Sequence, residues 1–129
     1  MWRAWPILVL LVSVAGCGPG RYDELAREQT ELNEELAREW AGISDSATMK
    51  SAAPKLGDKY RKLIRLNRVA KALAKPSAEL NELLREKYGR RMEAAVNQIL
   101  RDQQRVKDLP GGPEFLREVK EGFRSPKGG

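Results

Sequence analysis

One thiol, one row of carboxylates and one row of guanidinium groups carry the potential chemistry of this 129-residue chain. Cys17 is its only cysteine. Such a thiol must pair with another chain, stay free or be modified. Glu24, Glu28, Glu31 and Glu35 recur at helical spacing, which draws one strip along a helix. Stacked carboxylates hold a metal or move protons only when their oxygens converge out of water. Arg27 and Arg38 fall within helical reach of Glu31 and Glu34, so the strip reads as a solvated face. Arg61, Arg65 and Arg68, at i, i+4 and i+7, form a cationic row. They are the candidate contacts for an anionic partner.

Other chemistries are excluded by composition. The chain has no histidine, so Ser-His-Asp and Cys-His catalysis are absent. Zinc sites of Cys/His type and di-iron sites built on Glu-x-x-His pairs are absent for the same reason. Gly111-Gly112 lacks the lysine and Ser/Thr of a phosphate-binding loop. The expectation is a protein that is not an enzyme, with no catalytic residues, no metal, no cofactor and no small-molecule substrate. A net charge of +6 and a pI near 9.7 raise nucleic-acid binding. Stacking aromatics and a recognition motif do not accompany that charge, and the first 16 residues direct the chain elsewhere, so no nucleic acid is expected.

Those residues have the layout of a signal peptide. Arg3 supplies the positive start, residues 7–15 the apolar run, and Ala15 and Gly16 the small residues beside a cleavage point. A membrane-spanning helix needs roughly 20 apolar residues, about twice this run. Val14-Ala15-Gly16-Cys17 resembles the lipobox of bacterial lipoproteins, with Val14 where leucine is commonest. The resemblance implies that Cys17 is the lipid attachment site. Its thiol takes a diacylglyceryl group, the chain is cut before it, and the new amine can be acylated. The implied location is exported and lipid-anchored to the cell membrane or outer membrane, facing the periplasm or exterior. By the same resemblance, Gly18 in place of aspartate favours outer-membrane sorting.

The remaining chain is rich in Ala, Glu, Lys, Leu and Arg and poor in aromatic and β-branched residues, a composition of long helices or a coiled coil. Tyr22, Leu25, Gln29, Leu32, Leu36, Trp40 and Ile43 mark the apolar stripe of a first helix over 22–41. Gln29 is its polar member, read as lying near the edge of a short interface. A second helix is expected over 47–74, with Met49, Ala52, Leu56, Tyr60, Leu63, Asn67 and Ala70 on one face. Leu66, Val69 and Leu73 widen that face, as suits a helix touching two neighbours. Pro54 should either kink this helix or open it after a shorter one. Ser77 caps a third helix over 78–107. Its stripe is Leu80, Leu84, Tyr88, Met92, Ala95, Ile99, Gln103 and Val106, with Leu83, Val96 and Leu100 beside it. Pro110-Gly111-Gly112-Pro113 ends it, and a short helix carries Phe115, Leu116, Val119 and Phe123.

Ala52-Ala53-Pro54-Lys55-Leu56, Lys75-Pro76-Ser77-Ala78-Glu79 and Glu86-Lys87-Tyr88-Gly89 together resemble short exported helical proteins of planctomycetes, over residues 44–123. These motifs are helix breakers and core positions, so the resemblance implies a fold and brings no site residues.

The expected fold is all-α: an antiparallel three-helix bundle or coiled coil with a short C-terminal helix, after an N-terminal signal helix. The expected divisions are a signal peptide (1–16), a lipid-bearing tether (17–20), the bundle (21–109), and a short helix with a disordered tail (110–129). Residues 21–40 hold seven acids and three bases, and residues 50–75 nine bases and one acid, Asp58. That contrast predicts pairing of the first two helices through complementary flanks. The functional expectation is a lipid-anchored envelope module for interaction or structure, meeting the membrane through its lipid and a protein partner or another copy of itself. The alternative is a binder of an anionic envelope component, lipid headgroups or polymer, through Arg61, Arg65 and Arg68.

Overall fold

The computed structural model describes residues 19–124, with side chains over 20–122. Cys17, the expected signal segment and the expected tail lie outside the described residues. Four helices follow in order: α1 (Pro19–Ala41), α2 (Ser46–Ala72), α3 (Ala78–Lys107) and α4 (Gly112–Arg124). They form an all-α bundle. α1 runs between α2 and α3 and packs along both, whereas α4 closes one end over α2 and α3.

The helix ends differ from the sequence expectation in three places. Pro19 and Gly20, expected in the tether, are the first residues of α1. Proline suits a first helical turn, because its missing N–H has no partner there anyway. α2 ends at Ala72, and Leu73 turns the chain out with extended backbone. Pro54 lies inside α2, which is helical on both sides of it, so of the two expectations a separate shorter helix before Pro54 is the one overturned. Its ring lies on the exposed side. The start of α2 is held by a capping box: the Asp45 carboxylate accepts from the Thr48 N–H at 2.9 Å, and the Thr48 hydroxyl accepts from the Asp45 N–H at 2.9 Å.

The main core lies where all four helices meet. Leu36, Trp40 and Ile43 of α1 and its exit pack with Met49, Ala52 and Leu56 of α2, Ile99 and Val106 of α3, and Phe115 of α4. Trp40 is 1% exposed and meets the Phe115 ring edge-on at 6.0 Å. Its indole N–H donates to the Tyr60 hydroxyl at 2.9 Å. At the other end Ala26, Leu84 and Tyr88 form a smaller cluster between α1 and α3, flanked by Tyr22 and Leu80. Tyr22 therefore packs with α3, and its hydroxyl donates to the Ala74 carbonyl beyond the end of α2.

Between the two clusters lies a polar layer. Gln29, read from the sequence as an edge residue, is 2% exposed and donates to the Asn67 side chain of α2 at 3.0 Å. Thr30 and Asn33 are also buried, each bonded to a carbonyl one turn back in α1. The Gln29–Asn67 bond favours one register of α1 on α2, because a slip leaves the buried Gln29 amide without its partner, whereas the exposed Asn67 can turn to water.

The turn into α4 depends on two glycines. Gly111 has φ of 82°, a conformation that side chains other than glycine rarely adopt. A Cβ on Gly112 would stand 1.9 Å from the Val106 carbonyl oxygen. Gly112→Ala is therefore expected to destabilise by about 2 kcal/mol or more through forced backbone movement. Gly89, in the middle of α3, would meet only the Arg85 side chain, at 3.4 Å. Gly89→Ala should stabilise by roughly 0.5–1 kcal/mol through helix propensity. Thermal melts of the two variants should move in opposite directions; equal shifts would contradict this packing.

Candidate functional site: the uncovered side of the second helix

The acidic flank of α1 does not neutralise α2 as its sequence suggests. Among the described residues a single ion pair joins the two helices, Lys59 to Glu35 at 3.6 Å. Other acids of α1 turn to α3. Asp23 accepts from Lys87 at 2.9 Å, and Glu34 is gripped by both arms of Arg91 at 2.9 and 2.8 Å. The reason is position. Asp23 and Glu34 project toward α3, whereas most α2 bases lie on the helix surface turned away from α1. Only Lys59 sits at the seam.

Arg61, Arg65 and Arg68 are all exposed, and none forms an ion pair with a described acid. Successive helical residues are 100° apart, so the three share one arc with Lys50 and stand roughly opposite Leu56 and Leu63. The row from 61 to 68 rises about 10 Å along the axis. Arg61 lies back over Gly57, whose missing side chain leaves it room: a Cβ there would approach its guanidinium to 3.4 Å. Beside the arginines on the same turns come Val69, 37% exposed, and the half-buried Leu66 and Leu73. The sequence reading had these three apolar residues covered by a second neighbour. α3 instead packs on α1, and meets α2 sparsely, as where Gln103 bonds the Tyr60 hydroxyl.

A shallow open depression of about 620 Å³ lies at the start of α1, lined by Gly20, Asp23, Leu80, Leu83, Leu84, Glu86 and Lys87. In this depression Asp23 is committed to Lys87 and the Tyr88 hydroxyl. The Lys87 bond holds Asp23 below the usual carboxylate range, against partial desolvation and with help from Tyr88. The Arg91 bond likewise lowers Glu34. Such depressed groups stabilise the fold above their unfolded pKa and cease to as pH falls through the folded value. On the alkaline side, the Asp23 bond raises Lys87 and burial raises Tyr60. Their contributions are complete below the unfolded pKa and lost as pH rises through the folded one. No histidine lies among the described residues to titrate between these limits. Unfolding midpoints should be flat from about pH 5 to 9 and fall on both sides. The double variant Asp23→Asn/Glu34→Gln should show a lower plateau and a shallower acid limb; an unchanged acid limb would sink this assignment.

The most buried acid serves the fold. Asp102 is 6% exposed, accepts from Gln98 at 3.0 Å and holds Arg105 at 3.0 Å. Arg105 in turn donates to the Ile43 and Trp40 carbonyls at 2.7 and 3.1 Å. It thus satisfies the Ile43 carbonyl just beyond α1 and adds a second donor to the Trp40 carbonyl, which also accepts from the Ile43 N–H at 3.2 Å. Sequence reasoning missed this clamp. Its only local signal is an acid and a base three residues apart, which by itself describes any surface pair.

The glutamate strip of α1 does not form a metal-type cluster: among the described residues no group of His, Cys, Asp or Glu side chains has that geometry. No described helix is long and apolar enough to cross a membrane. Comparison with protein-family models, with curated proteins and with solved structures finds no match.

Proposed function

We propose that this chain is an exported, lipid-anchored helical module of a bacterial envelope, held by lipid on Cys17, that works by contact and not by catalysis. The observation that carries the contact reading is the uncovered side of α2. An arginine row and a half-exposed apolar edge lie together there, on the surface of α2 turned away from the acids of α1. The anchor reading is supported by residues 1–17 alone. In this reading the partner is a protein or a second copy of the chain. Mass spectrometry of the native protein tests the anchor: the N-terminus should be Cys17 with acyl mass added. A mature chain that keeps residues 1–16, or begins elsewhere unmodified, ends it.

The second reading, binding of an anionic envelope component, is favoured by one specific feature. Arg61, Arg65 and Arg68 are unpaired, whereas Lys59 on the same helix is not. Salt separates the two. Helix-to-helix packing through Leu66, Val69 and Leu73 survives high ionic strength, and polyanion binding does not.

A further inference from the structure

We propose that α2 is a side-on docking surface for the anionic bilayer that carries the anchor, so that the module lies along the membrane with its arginine row against the headgroups. The inference deepens the second of the two readings, and rests on lipid attachment at Cys17 for its geometry and on α2 itself for its chemistry.

The tether is the first argument. Cys17 is separated from Pro19, the first residue of α1, by Gly18 alone. Two Cα–Cα steps span at most about 7 Å, so the bundle begins at the headgroup layer. The Tyr22 hydroxyl binds the Ala74 carbonyl, which places the end of α2 at that same end of the bundle. Arg68 and Lys71, both exposed, therefore start near the surface, on the order of the ~8 Å screening length at physiological salt. Tilting about the tether brings down Arg65, Arg61 and then Lys50, all on the same outer arc.

The second argument is charge. Residues 50–75 hold a single acid, Asp58, 3.9 Å from Lys62, against nine bases. The exposed Glu24, Glu28 and Glu31 of α1 are repelled by the same surface. Of the orientations open to so short a tether, the one with α2 down is thus selected. A protein partner must diffuse to the arginine row, whereas the tether holds the bilayer beside it at a high effective concentration.

The test uses lipidated protein in vesicles of phosphatidylglycerol with phosphatidylcholine, and in phosphatidylcholine alone. Lipid occupies the Cys17 sulfur, so a fluorophore can be placed on Ser51→Cys, at the far end of α2, or on Glu31→Cys of α1. In anionic vesicles the label at 51 should transfer energy to a headgroup dye more strongly than the label at 31. That difference should vanish in pure phosphatidylcholine and in ~1 M salt, where screening falls to about 3 Å. In parallel, mature chain carrying Cys17→Ser and no lipid is sedimented with the same vesicles. Each lost base should weaken partition about fivefold, or ~100-fold for three, so the Arg61→Glu/Arg65→Glu/Arg68→Glu variant, which also gains three acids, should bind more than ~100-fold more weakly. The corresponding glutamine variant, checked for helicity by circular dichroism, guards against misfolding and should bind at an intermediate level.

Docking is overturned if the label at 51 reports the same distance on both vesicle types. It is overturned equally if the glutamate variant binds as the parent does, or if the unlipidated chain binds a soluble anionic polymer and leaves the vesicles unbound. Sedimentation needs no lipid on the protein, so it judges the α2 surface alone. The mass of the native N-terminus judges the anchor alone.

Discussion

Trp40→Ala should lower the melting temperature by roughly 15 °C or more. Trp40 is the only tryptophan outside residues 1–16, and it is where the four helices meet. Its ring is 1% exposed and stands edge-on to Phe115 of α4. Its N–H reaches Tyr60 of α2, and its carbonyl is held by Arg105 of α3. Truncating a buried aromatic of this size costs about 3–5 kcal/mol, against a total stability of some 5–15 kcal/mol for a domain. In a domain of this size each kcal/mol moves the midpoint about 4–8 °C. The measurement is a circular-dichroism melt of the mature chain. In the parent protein, Trp40 fluorescence should be blue-shifted and should follow the same transition, since no second tryptophan dilutes it. Tyr60→Phe keeps the ring but leaves the indole N–H without its partner, a loss of about 1–3 kcal/mol. A Trp40→Ala protein that melts within a few degrees of the parent would mean that α4 and the α1 exit are not part of one core.

The helices could be read from the sequence because their apolar spacing is regular and their breakers are strong. Ser77, Pro76 and the Pro110–Pro113 turn mark boundaries through local backbone chemistry, which needs no knowledge of neighbours. α3 occupies the span that its spacing predicts. Where the reading departs from the structure, the deciding interaction is between helices. Gln29 looks like an edge residue until Asn67, 38 positions away, supplies its partner. The acids of α1 look matched to α2 because the two segments are adjacent in sequence. Asp23 and Glu34 instead meet Lys87 and Arg91 of the third helix. Leu83 and Leu100 sit beside the α3 stripe in a helical projection, yet they are 60% and 54% exposed. A projection cannot give the width of the face that a neighbour covers. The arginine row itself was legible as a pattern of spacing. Its freedom from acidic partners was not, because that depends on which way the α1 carboxylates turn.

Cys17→Ser should have the largest effect on where the protein is found. By the lipobox resemblance, lipidation precedes the cut, so the variant should keep residues 1–16 and gain no acyl mass. Two acyl chains hold a protein stably, at about 0.8 kcal/mol for each buried methylene. The uncut apolar run over 7–15 is a weaker hold. As a helix its nine residues would span only ~13 Å of a hydrocarbon core about 30 Å thick. No described helix can take over that duty. Alkaline carbonate should therefore leave the parent in the membrane fraction and extract the Cys17→Ser chain. Reversing Arg61, Arg65 and Arg68 should not produce this outcome, because those residues are proposed to set how the bundle lies, while the lipid decides whether it stays. If Cys17→Ser remains carbonate-resistant at mature mass, the thiol is not the anchor, and the short tether loses its place in the argument for α2.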